Sequence, residues 1–326
     1  MTELEQKILD TIQDAFPLEE RPYRALADLF NAQGSVGSVT EQQVFDAVEG
    51  LRKSGVIRRI GGVYDSKALG FISRLCAGKV PTAATGAAND CALEKFAAAV
   101  NEIPAITHNY VRSHEYNVWF TVIAQSEEEI QKIVDDVCAR TDLHDVHVLS
   151  VTKKFKIDTV MTRGPRDTSL RAKRNDAMLS LTGVLSDSDR TRIRVACTDI
   201  PHTLTPFKDW GIAVDELRGD VAQGRMRRFG AILRHQDAGF AYNAMICFNA
   251  PSEAGDVLAS KPYISHCYER PAFEGFPYNL YAMMHAQSAE ALESFIADAA
   301  QSIQNSDYAV LHSVKELKKT SFQFFV

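Results

Sequence analysis

The chain has 326 residues, 45% of them hydrophobic and 24% charged, with a formal net charge of −6. That length supports more than one core, and the composition is that of an ordinary globular protein. The negative balance argues against bulk attraction to nucleic acid or an anionic membrane, and the six scattered cysteines form no C-x-x-C pair or metal-finger spacing. Cysteines without a framework, an acidic start with no basic n-region, and no apolar run long enough to cross a bilayer together predict a cytoplasmic protein.

The first elements read as helices. Leu4, Ile8, Leu9 and Ile12 are spaced for one side of a helix over 4–15, and Pro22 opens a second over 22–32. Thr40, with Gln43 three residues on, resembles a capping box for a third helix running to Lys53 and stopping at Gly55. Val56–Tyr64 follows as a two-stranded wing, completing a winged helix-turn-helix. On the third helix Glu41, Asp46 and Glu49 outnumber Arg52 and Lys53. A DNA reader needs cations for the phosphates, so a packing or dimerisation role is expected and no nucleic-acid partner.

From residue 68 strands and helices alternate. The pattern predicts strands over 68–80, 104–113, 116–124 and 145–155, with helices over 89–100 and from Ser126 to about 140. This β-α-β-β-α-β order is the ferredoxin-like plan. The second half then repeats the first. Arg58-Arg59-Ile60-Gly61 returns as Arg227-Arg228-Phe229-Gly230, Ala124-Gln125-Ser126 as Ala286-Gln287-Ser288, and Leu149-Ser150-Val151 near His312-Ser313-Val314. The expected fold class is α+β, a tandem duplication in which each half is a winged helix-turn-helix followed by a ferredoxin-like domain. The expected boundaries are 1–66, 67–157, a linker over 158–175, a degenerate second helix-turn-helix over 176–235, and 236–326.

One stretch occurs twice and carries the chemistry. His108-Asn109-Tyr110-Val111-Arg112 is followed by Tyr116-Asn117-Val118-Trp119, and His266-Cys267-Tyr268-Glu269-Arg270 by Tyr278-Asn279-Leu280-Tyr281. In a strand, alternate side chains share a face, so an imidazole, a phenol and a guanidinium line up in each half. Histidine titrates near neutral pH and arginine holds carboxylates in a planar fork, so such a face suits proton transfer to a ligand rich in carboxylates. His108, His114, His235 and His266 are the candidate catalytic residues. Arg112, Tyr110, Asn117, Trp119, Arg234, Tyr268, Arg270 and Asn279 are the candidate substrate-binding residues. The halves differ, since His114 aligns with Phe276 and His235 with Ser66. Cys267 should point to the opposite face, and the His and Cys spacing predicts no metal site.

A winged helix-turn-helix followed by a ferredoxin-like domain resembles the Lrp/AsnC regulators, as do Gly55-Val56-Ile57-Arg58 and Ala68-Leu69-Gly70. The more specific motifs are similar to the siroheme decarboxylase family, with two usually separate subunits fused. They are Arg58-Arg59-Ile60-Gly61 with Tyr64-Asp65-Ser66, the two histidine–tyrosine–arginine stretches, and Arg227-Arg228-Phe229-Gly230 continuing to Arg234-His235. The resemblance implies decarboxylation of the 12- and 18-acetate side chains of siroheme to give 12,18-didecarboxysiroheme, on the way to heme d1 or to heme itself. It implies histidine as proton donor, arginine orienting carboxylates, and no cofactor beyond the iron-containing tetrapyrrole substrate. Implied partners are siroheme, a second copy of the fused chain and other heme d1 biosynthesis enzymes, with no membrane. The alternative is a transcriptional regulator of the Lrp/AsnC type or a tetrapyrrole-sensing DNA-binding protein. The tetrapyrrole sensor would require basic recognition helices, and the amino-acid-sensing regulator would need neither the repeated faces nor a single-chain duplication.

Overall fold

The computed structural model describes residues 1–34, 37–81, 87–157, 185–233, 242–304 and 307–325. The expected linker over 158–175, with Arg234 and His235, lies outside the described residues. In chain order the first half forms α1 (Glu3–Ile12), α2 (Pro22–Gln33), α3 (Glu41–Lys53) and β1 (Ile57–Tyr64). It continues through β2 (Ile72–Gly78), α4 (Ala87–Glu102), β3 (Ile106–Arg112), β4 (Val118–Ala124), α5 (Glu127–Thr141), β5 (Val146–Leu149) and β6 (Lys153–Ile157). The second half repeats the plan with α6 (Asp187–Ala196), α7 (Pro206–Trp210), α8 (Val214–Ala222) and β7 (Met226–Leu233). Then come β8 (Tyr242–Phe248), α9 (Ala254–Ser260), β9 (Ile264–Glu269), β10 (Leu280–Ala286), α10 (Ala289–Ser302) and β11 (Tyr308–Lys319).

Local chemistry sets the helix starts. The Thr40 hydroxyl accepts from the Gln43 amide while the Gln43 side chain reaches back, and Ser126 and Ser288 cap α5 and α10 in the same position. The chain divides into two compact units, and each combines material from both halves. One comprises Met1–Gly70, Val160–Ala238 and Gln323–Val326; the other comprises Phe71–Thr159 and Gly239–Phe322.

In the helical unit the expected two-stranded wing is instead a single strand. β1 pairs antiparallel with β7 of the other half, Gly61 opposite Gly230. A Cβ at Gly61 would fall 2.3 Å from the Thr198 carbonyl oxygen, and one at Gly230 2.6 Å from that of Ile12. The repeated Arg-Arg-x-Gly motif therefore lets a strand lie against the backbone at a helix end. α3 buries Val44, Val48 and Leu51. Its Arg52, only 6% exposed, is paired with Glu49 and Asp199. A cation consumed inside the unit is not offered to a phosphate backbone.

The other unit is built on a nine-stranded sheet in the order β5-β2-β4-β3-β11-β8-β10-β9-β6. Helices cover one face. Phe96 and Val100 of α4 and Ile130 and Val134 of α5 pack on Cys76, Val118, Phe120 and Val122. Leu258 of α9 and Leu292 and Ile296 of α10 pack on Ala244, Ile246, Cys267 and Ala282. The opposite face curls on itself, so that Trp119, Ala77 and Leu149 of the first half share a core with Cys247, Tyr281 and Leu311 of the second.

The expected strand over 145–155 is two strands with different partners: β5 pairs with β2 in its own half, whereas β6 crosses to pair with β9. β11 makes the same exchange without a break, its first residues pairing with β8 and its last with β3. The structural counterpart of Leu149 is therefore Leu311, one residue before the match suggested by the sequence.

Candidate functional site

The two repeated stretches form strips on the face that the helices leave uncovered. In β3 the His108 and Tyr110 rings stack with centroids 6.4 Å apart, and the Arg112 guanidinium lies 5.4 Å from the Tyr110 ring. In β9 the corresponding separations are 6.3 Å for His266 and Tyr268 and 5.1 Å for Arg270 and Tyr268. Strand alternation produces this alignment. Cys267 faces the other way, fully buried under α9.

A bulge precedes each histidine. The β3–β4 register slips between Ile106 and His108, and the β9–β10 register slips where Ser265 sits. The bulged residue turns its hydroxyl to the ring: Thr107 Oγ1 is 2.9 Å from His108 Nδ1, and Ser265 Oγ is 3.0 Å from His266 Nδ1. Ser265 also donates to the Met283 carbonyl at 3.2 Å, so its oxygen accepts from Nδ1–H of His266. A hydroxyl stands before the histidine in both repeats, a signal present in the sequence but outside the expected site residues.

Both arginines are buried without a carboxylate partner among the described residues. Arg112 Nη1 donates to the Leu311 carbonyl at 3.1 Å and to Ser313 Oγ at 3.2 Å. Arg270 Nη1 donates to the Leu149 carbonyl at 2.8 Å. The Nε of each has no acceptor. Burial lowers the pKa of both, that of Arg112 to about 10. A buried guanidinium with unspent donors has the capacity to pair with an anion.

Other candidates lie elsewhere. Asn117 and Asn279 do not face the strips. Each clamps a backbone, Asn117 accepting from Val80 N at 2.8 Å and donating to its carbonyl at 2.9 Å, and Asn279 doing the same to Ala250 at 3.0 and 2.9 Å. Trp119 is 1% exposed in the shared core, its Nε1 donating to the Tyr116 carbonyl at 2.7 Å. Its flat ring packs on Phe276 and Tyr281 and leaves no face for a ligand. His114 sits in the turn after β3, its Nδ1 accepting from Tyr116 N at 3.1 Å and its ring against Phe276. Burial lowers its pKa, which keeps it neutral and poorly placed as a proton donor. The described residues hold no group of three histidine, cysteine or acidic side chains poised for a metal ion.

Strand exchange adds residues that the sequence did not suggest. β11 sets Glu316 opposite Tyr110 and Lys319 opposite His108, and β6 sets Lys154 opposite Tyr268 and Ile157 opposite His266. Only the crossing of β6 and β11 reveals them, because each belongs to the other copy in sequence.

Comparison with known proteins agrees with this architecture. An AsnC-like ligand binding domain matches residues 68–156 and 237–318, and a siroheme decarboxylase NirDL-like HTH domain matches 5–58. The siroheme decarboxylase of Hydrogenobacter thermophilus is 30% identical over 332 residues, covering 98% of this chain and 94% of that protein. The chain belongs to the siroheme decarboxylase family. The family's alpha subunit from Desulfovibrio desulfuricans is 41% identical over 157 residues, covering 48% of this chain and 82% of the subunit. The crystal structure of the siroheme decarboxylase NirDL in co-complex with an iron-uroporphyrin III analogue matches at TM-score 0.67 and 28% identity, covering 98% of this chain and 94% of that one.

Proposed function

We propose that this protein decarboxylates siroheme, removing carbon dioxide from the 12- and 18-acetate side chains to leave methyl groups. The observation that carries the reading is the duplicated strip, in which a hydroxyl-oriented histidine shares a strand face, across a tyrosine, with a buried arginine that has no carboxylate partner among the described residues. The full-length likeness to siroheme decarboxylases supports the choice of substrate.

The chemistry follows from what the strips supply. The bond between the side-chain methylene and the carboxylate carbon breaks, and carbon dioxide leaves. The electron pair spreads into the macrocycle and is quenched by a proton from histidine, so no organic cofactor is required. His266 fits the donor role through Nε2, with Ser265 fixing Nδ1, and His108 is its counterpart. The buried arginine of a strip, Arg112 in the first or Arg270 in the second, holds a carboxylate that does not react, each charge-assisted hydrogen bond contributing about 1.5–3 kcal/mol. Gripping the departing carboxylate as tightly would stabilise the ground state and gain no rate. Tyr110 and Tyr268 complete the polar face.

Anaerobic incubation of the protein with siroheme, followed by mass analysis of the tetrapyrrole, tests this reading. The expected result is loss of two carboxyl groups as carbon dioxide, abolished when His108 and His266 are both changed to alanine. Unchanged siroheme after prolonged incubation with the wild-type protein would overturn it.

A further inference from the structure

The two strips share a backbone plan but not a charge pattern. In the first, Glu316 stands across from Tyr110, 3.8 Å from the ammonium of Lys319, so an acid and a base neutralise each other opposite Tyr110 and His108. In the second, the register position of Glu316 is held by Lys154, across from Tyr268. The bulge that follows is repeated too: Lys156 turns to the end of α9 and Lys318 to the end of α4, which confirms the alignment of the two strands. Lys154 is exposed and has no acidic partner among the described residues. Glu269, its neighbour in β9, points to the helical side and accepts from Ser252.

Unspent hydrogen-bonding capacity falls on the same side. Arg112 uses Nη1 twice and has Nη2 3.8 Å from Met283 Sδ, whereas Arg270 makes one bond, to Leu149. On the adjacent strand Trp119 has its indole N–H satisfied, but Tyr281, 3% exposed and with its ring 5.8 Å from the Arg270 guanidinium, has a hydroxyl with no partner. Among the described residues the second strip thus presents two cations, no acid and two buried polar groups with unpaired atoms. The first presents two cations and one acid, with Arg112 engaged through Nη1 and Nη2 and its Nε without an acceptor.

We propose that the second strip, formed by β9 and β6, is the one that takes the polycarboxylate tetrapyrrole, with Lys154 as a carboxylate-binding specificity residue beside Arg270, and that Glu316 disfavours the same ligand at the first strip. The assignment rests on the functional reading above. It makes the chain functionally asymmetric, with one tight site formed by a strand from each half.

The test is an absorbance titration of iron uroporphyrin III into the full chain, in wild-type, Lys154→Gln, Lys154→Glu and Glu316→Lys forms, at low and high salt. Both positions are exposed, so folding tolerates the changes. One tight site per chain is expected, weakened a few-fold by Lys154→Gln and about tenfold by Lys154→Glu. High salt should shrink the difference, and Glu316→Lys should leave the tight constant unaltered. Two equivalent sites in the wild type, or Lys154→Glu binding like the wild type, would overturn the assignment while leaving the functional reading in place. A wild-type chain that binds no tetrapyrrole would overturn both.

Discussion

Arg112 and Arg270 show how far a single side chain can be read from sequence. Their place on the strip follows from strand alternation, but not their burial or the absence of an anion, which depend on the sheet curling over them. Because burial lowers Arg112 to about 10, its charge weighs against the fold at neutral pH, a cost that a bound carboxylate relieves. His114 gives the opposite lesson: the motif drew attention to it, whereas its ring serves a turn. Its pKa is depressed by burial, so the unfolded chain binds the proton more readily and the contribution to stability falls as pH drops below the ordinary histidine range, about 6.5. His114→Phe, copying Phe276 at the equivalent position, should keep decarboxylation and flatten the loss of Tm between neutral and mildly acidic pH. A variant that folds with the same acid sensitivity but no activity would return His114 to the catalytic list.

Among the elements, helices and signature strands were legible because their periods and caps are local. The wing and the strand over 145–155 were not, because a hydrogen-bonding partner in another copy leaves no local mark. β1 reads like half a hairpin whether its mate is its neighbour or β7. Asn117 and Asn279 show the same limit on a smaller scale: alternation sets them beside aromatic residues, while their amides close the sheet onto Val80 and Ala250. Asn279→Ala leaves the N–H and carbonyl of Ala250 without partners and should cost about 1–3 kcal/mol in denaturant unfolding. Tetrapyrrole affinity of the folded fraction should stay near that of the wild type. A large loss of affinity with no loss of stability would place Asn279 on the ligand instead.

At the scale of the whole molecule, the duplication was visible as repeated motifs, but not the manner in which the copies interlock. β6 completes the second half's part of the nine-stranded sheet and the end of β11 the first half's, so neither ferredoxin-like half is closed without the other. A relative that exists as a separate subunit matches about half of this chain. Cutting within 158–184 and co-expressing the pieces should therefore yield a stable heterodimer with full activity, while either piece alone exposes strand edges and aggregates or self-pairs. Size-exclusion chromatography with mass detection distinguishes these outcomes, and a soluble monomer of residues 1–157 would argue against the exchange. The crossing strands also bear on heredity. Lys154 is encoded in the first copy yet stands across from Tyr268 of the second. A mutation at that codon is felt across the repeat boundary, so the first copy stays under constraint from the strip of the second. Descent that separates the copies into two genes must keep both together.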